Sequence, residues 1–157
     1  MSRNNLVVER ENKTITMSRV FDAPRQKVWE AFTDPGLIVQ WWGPSYLTTT
    51  VDKMELKPGG AWRFVQRDEE GNEFGFRGEY IEVVPPEKLT YTFEFEPMAG
   101  HVSTDTITLA EQPDGRTKVV TTTVFDTVED LDGMIQSGME DGANESWDRL
   151  TELVEKA

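Results

Sequence analysis

Over 13–21 and again over 48–125 the chain alternates apolar and polar residues with a period of two; over 22–42 and beyond Val128 the spacing lengthens to three and four. Lys13 to Phe21 reads as a strand, with Ile15, Met17 and Arg19 on one side and Thr14, Thr16, Ser18 and Val20 on the other. This pattern does not decide which side is buried. The stretch DAPRQKVWEAFTDP then places Val28, Ala31 and Phe32 at helical spacing beside Trp29. Asp22 suits an N-cap and Pro24 a first turn, where a missing N–H costs nothing. Asp34-Pro35 ends the helix, because the residue before proline disfavours α geometry. A short helical turn, GLIVQWW, stops at Gly43-Pro44.

Six strands follow: Thr48 to Leu56, Ala61 to Arg67, Glu73 to Val84, Lys88 to Glu96, Thr104 to Glu111 and Thr117 to Phe125. Tight turns separate them, among them Lys57-Pro58-Gly59-Gly60, Asp68 to Asn72 and Pro113-Asp114-Gly115, which predicts an antiparallel meander. The alternation is cleanest over Lys88 to Glu96, with Leu89, Tyr91, Phe93 and Phe95 on one face. From Val128 to Lys156 the rhythm predicts one long helix, carrying Leu131, Met134, Ile135, Met139, Ala143, Trp147, Leu150, Leu153 and Val154 on its apolar side. At its full extent it would span about 40 Å. Its middle is thin, with Gly138, Gly142, Ala143 and Ser146. Each interior glycine costs about 1 kcal/mol against alanine, so two of them predict a bulky neighbour against that face.

A curved sheet with one apolar face needs a cover, and only the C-terminal segment is long enough to supply it. The expected class is therefore α+β: a helix-grip fold with about seven antiparallel strands wrapped around a long C-terminal helix, and two short helices after the first strand. With 157 residues, no repeats and no linker, it reads as a single domain over 1–157, its core at about 13–156. One cylinder does not fill such a sheet evenly. The space left over would be lined by Trp62, Phe64, Tyr91, Phe93 and Phe95, and roofed by the small-residue segment.

The stretches FDAPRQKVWEAFTDP, QWWGP, ELKPGGAWRF, RGEYIEVVPPEKLTYTF and GMEDGANESWDRLTELVE occur in this order. Together they resemble the SRPBCC (START-like, birch-pollen-allergen-like) superfamily, and within it the homologues of the activator of the ninety-kDa heat-shock-protein ATPase. The resemblance implies the helix-grip fold and a cavity between sheet and long helix. It also implies roles for the adjacent tryptophans: one of Trp41 and Trp42 turns toward the cavity mouth while the other packs the short helix on the sheet rim. Both assignments stay open. Relatives often carry Gly-Trp where this chain has Gly142-Ala143. Here Trp147, one turn along the same face, supplies the indole, with Met139 at the other end of the roof.

Charge and composition narrow the function. Sixteen basic residues against twenty-nine acidic ones leave a net charge of −13, which repels phosphate backbones and argues against nucleic acid as a partner. No stretch has the roughly 20 apolar residues of a membrane span, and the N-terminus does not resemble a signal peptide, so the expected location is the cytoplasm. Without cysteine, thiolate chemistry and cysteine-based zinc sites are excluded. His101 is the single histidine and reads as a solvated loop residue; Asp130 to Gly133 lacks the ligand spacing of a calcium loop and reads as a helix N-terminus. Arg77 and Glu79 share a strand face, inward as an orienting ion pair or outward as a surface pair; outward is favoured, because Phe76 and Tyr80 occupy the other face. No carboxylate is singled out for acid–base work, and no catalytic residue, metal or cofactor is expected.

The leading expectation is a domain that holds a small hydrophobic molecule, with Trp41, Trp42, Trp62, Phe64, Tyr91, Phe93, Phe95, Met139 and Trp147 around it. The alternatives are a chaperone- or stress-related interaction module and an enzyme resembling the polyketide cyclases. The eukaryotic activators carry an additional N-terminal domain not seen here, so ATPase stimulation is the lesser expectation.

Overall fold

The computed structural model describes residues 5–43 and 45–155. Pro44 and the expected end of the last helix at 156 lie outside them. The chain runs β1 (Asn5–Glu9), β2 (Thr14–Phe21), α1 (Arg25–Thr33), α2 (Pro35–Trp41), β3 (Thr48–Met54), β4 (Ala61–Arg67), β5 (Glu73–Val84), β6 (Lys88–Phe95), β7 (Val102–Glu111), β8 (Thr117–Val124), α3 (Val128–Gln136) and α4 (Met139–Glu155). The eight strands form one antiparallel sheet in the order β1-β2-β8-β7-β6-β5-β4-β3. The helix-grip architecture is as expected.

Four details differ. The sheet has eight strands instead of about seven, because Asn5–Glu9 pairs antiparallel with β2. Its residues are mostly exposed, so they lack the apolar alternation that marks the other strands. The two short helices consequently follow the second strand. Asp22 does not cap α1: Pro24 occupies the N-cap position, and the Asp22 N–H donates to Glu155 at 3.0 Å. Asp34 does cap, accepting from the Gly36 N–H at the start of α2.

The fourth difference matters most. The C-terminal segment is two helices, broken where Gly138 adopts φ +84°. That left-handed conformation is open to glycine at little cost and would strain any other residue. The break lets the two helices serve different surfaces. Leu131 of α3 completes a small cluster with Ile15 and Phe125, while Trp147, Leu150 and Val154 of α4 belong to the main core. Ties at the sheet end hold α3: Thr127 caps it by accepting from the Asp130 N–H, Asp130 meets His101 at 2.7 Å, and Asp132 meets Arg10 at 2.8 Å.

The inner face of the sheet follows strand parity. On β2 it is Ile15, Met17, Arg19 and Phe21, all buried. Arg77 and Glu79 turn outward, and Arg77 pairs with Glu94 at 2.9 Å. Irregular pairing between Tyr80 and Glu82 on β5, and between Val51 and Lys53 on β3, bends the sheet around the helices.

Candidate functional site

Between the concave face and α4 lies a hollow of about 400 Å³. Its walls come from β4, β5 and β6 (Trp62, Phe64, Phe76, Tyr80, Tyr91 and Phe93), its roof from Met139, Gly142, Ala143, Ser146 and Trp147, and one end from Trp41 and Trp42. A Cβ placed on Gly142 would meet nothing within 4 Å. Gly142 therefore faces open space. The bulky neighbour that its glycines suggested is not there; Gly138 makes the break instead.

The tryptophan pair divides its work across the hollow. Trp41 is buried, donates its indole N–H to the Ala31 carbonyl at 2.8 Å and meets Phe32 edge-on at 5.0 Å, locking α2 onto α1. Trp42 points the other way and lies edge-on to Phe64 and Phe76, each at 5.1 Å, so it bridges to the sheet. Both line the space, so neither assignment suggested by the resemblance describes them fully.

The backbone that carries them is clamped. Arg149 donates to the carbonyls of Gln40 (2.8 Å) and Gly43 (2.7 Å), the Ser146 hydroxyl to that of Trp41 (3.0 Å), and the Thr49 hydroxyl to that of Trp42 (2.7 Å). These are the carbonyls left without partners at the end of a short helix, and a guanidinium there also suits the helix dipole. Thus α4 both roofs the hollow and fixes its tryptophan end.

Trp62 sets the opposite wall. Its indole N–H donates to the Thr92 carbonyl at 3.1 Å, passing over Gly78, where an added Cβ would fall 1.9 Å from that oxygen and 2.5 Å from the indole nitrogen. Trp62 also packs against Phe64, Tyr91 and Phe93 at 4.9 to 5.9 Å. Trp147 is buried edge-on to Phe21 at 5.6 Å. Of the aromatic and sulfur side chains singled out by sequence, Trp41, Trp42, Trp62, Phe64, Tyr91, Phe93, Met139 and Trp147 are brought together here. Phe95 stacks on Phe76 at 5.0 Å and lies outside the lining.

Sequence reasoning missed the polar floor. Register aligns Tyr80, Tyr91, Asp105 and Thr123 across β5, β6, β7 and β8, and all four line the hollow. Burial pushes the Asp105 carboxyl up to about 6, with the hydroxyls of Thr123 and Tyr91 pulling it partly back. Its Oδ1 is shielded from solvent and has no hydrogen-bond partner among the described residues. Burial, reinforced by Asp105, likewise raises the Tyr91 phenol well above its usual range. The signal was present: Asp105 is in phase with Ser103, Ile107 and Leu109, the buried positions of β7. Gln66, also buried, adds an amide near the tryptophan end. No group of three or more potential ligand side chains among the described residues could hold a metal ion.

The helix-grip sheet matches what the motif order implied. Residues 22–155 match the family described as Activator of Hsp90 ATPase homolog 1-like protein. The chain belongs to that family. Solved structures agree with the family's fold. A protein from Rhodobacter sphaeroides superimposes with a TM-score of 0.88 at 23% identity, covering 96% of each chain. One from Arthrobacter aurescens gives 0.87 at 22% identity, covering 96% of this chain and 90% of that one. One from Chromobacterium violaceum gives 0.81 at 29%, covering 92% and 99%. No curated protein matches the chain. Among the described residues no helix is long and apolar enough to cross a membrane.

Proposed function

We propose that this domain is a receptor or carrier for one small hydrophobic molecule, held between the sheet and α4. A single observation carries the reading: the hollow of about 400 Å³ is lined mainly by apolar and aromatic side chains and offers only a few polar groups. Ligand sites are typically of this kind, with volumes of about 300–1,000 Å³ and sparse polar groups that fix orientation. The clamps from Arg149, Ser146 and Thr49 support it further, since they hold the tryptophan end in place without a guest.

Solvent extraction of the purified protein, followed by mass spectrometry, is expected to release a small molecule. Titration with lipids and aromatic compounds is expected to change tryptophan fluorescence. Absence of both, across a broad panel, would leave the receptor reading without support.

Asp105 favours a second reading, an enzyme acting on a molecule bound in the same hollow. A carboxyl near pKa 6 beside Tyr91 could move a proton near neutral pH. In that case Asp105→Asn would abolish turnover of a bound substrate while leaving its affinity in place. The family description supports a competing reading, a chaperone contact. Pull-down from a native lysate tests it, and a stoichiometric chaperone in the eluate would favour it over the receptor reading.

A further inference from the structure

We propose that the hollow selects an organic cation: a compact aromatic amine whose ammonium group seats against Asp105. This rests on the reading that the hollow holds a guest, and it names the guest's chemistry. Among the described residues that line the space, Asp105 alone carries a formal charge. Among the described residues no lysine, arginine or histidine lines the space, and the neighbours of Asp105 in the row carry the hydroxyl groups of Tyr80, Tyr91 and Thr123. The buried cation of the inner face, Arg19, lies outside the lining: its Nη1 pairs with Asp148 at 2.9 Å and donates to Thr151 at 3.0 Å, while its Nε and Nη2 have no hydrogen-bond partner among the described residues.

A buried carboxylate with no opposing charge in the lining is costly unless something supplies one. An ammonium does so with charge as well as a hydrogen bond. The remaining walls suit the same guest. Trp42, Trp62, Phe64, Phe76 and Phe93 surround the space with π systems, which attract a cation and stack on an aromatic body. At longer range, the net charge of −13 raises the local concentration of cations and lowers that of anions. An organic acid would bring a second negative charge beside Asp105 with no cation in the lining to offset it.

The test uses three probes of one shape, 1-naphthylmethylamine, 1-naphthylmethanol and 1-naphthoic acid. Each is titrated calorimetrically at pH 7.5 into the full chain and into Asp105→Asn. The amine is expected to bind roughly tenfold or more tighter than the alcohol, and the acid weakest. In Asp105→Asn the amine is expected to fall to the affinity of the alcohol. Alcohol binding to the variant shows that its hollow is intact; should that binding be lost, the order of the three probes on the unaltered chain decides. An amine no tighter than the alcohol, an acid that binds best, or an advantage that survives Asp105→Asn overturns the cation inference, while alcohol binding keeps the receptor reading. If no probe binds the unaltered chain, the cation inference falls, while the receptor reading is decided by the extraction and the broad panel.

Discussion

Replacing Asp105 by Asn isolates the cost of an ionised carboxylate facing an apolar hollow. In the folded chain its pKa is pushed from 3.8 up to about 6. The sign follows from proton uptake. Between these two values the folded state holds a proton that the unfolded state has released, so Asp105 costs stability increasingly as pH rises from about 4 to about 6, and the cost then levels off. A shift of roughly two units corresponds to about 3 kcal/mol at its plateau. Asparagine keeps the shape and cannot ionise. Its own packing and hydrogen-bonding effect is independent of pH and cancels when two pH values are compared. Urea unfolding of both proteins at pH 4 and pH 7.5 is therefore expected to show the variant gaining, relative to the parent, about 2 kcal/mol on going to the higher pH. A relative change below about 0.5 kcal/mol would mean that the carboxyl titrates normally and is not desolvated. Any gain with the opposite sign would refute the argument outright.

Four further substitutions, at three positions, probe the frame of the site. Gly78→Ala sets a methyl 1.9 Å from the Thr92 carbonyl oxygen, so Trp62 and β6 must separate; denaturant unfolding is expected to show a loss of about 2–3 kcal/mol, with altered tryptophan emission. Gly142→Ala projects into open space and removes a helix-interior glycine, so it is expected to stabilise by up to about 1 kcal/mol in the same assay. Gly142→Phe is expected to fold and to weaken 1-naphthylmethanol binding at least tenfold by calorimetry; unchanged affinity would place the guest elsewhere. Arg149→Ala removes two charge-assisted hydrogen bonds to the carbonyls ending the tryptophan turn, and is expected to cost about 2 kcal/mol on unfolding. It is also expected to quicken hydrogen exchange at Trp42, whose N–H is bonded to the Ile38 carbonyl.

Most of the sheet was legible because one face is buried and the other wet. Leu89, Tyr91 and Phe93 against Thr90, Thr92 and Glu94 fix the parity of β6, and a slip of one residue would turn every aromatic outward. Asn5–Glu9 escaped notice because a short edge strand with exposed side chains carries no such contrast. The break at Gly138 was hidden for a different reason. Apolar spacing continues from Leu131 through Met139 to Trp147, and periodicity records which residues are buried without recording that they are buried against different clusters. The aromatic half of the candidate site could be read from strand parity. The polar half could not be read by scanning for isolated carboxylates, since Asp105 stands out only when placed in phase with Ile107 and Leu109 and next to Tyr91 across the strands. Long-range register supplies that neighbour, and one strand read alone does not.

Diffraction from crystals pressurised with xenon bears most directly on the open space beneath α4. Xenon occupies apolar cavities without needing any particular polar contact, and so reports room independently of ligand chemistry. Electron density for xenon among Trp62, Phe93, Ala143 and Trp147 is the expected result. Side chains closed together there, leaving neither gas nor guest density, would contradict it.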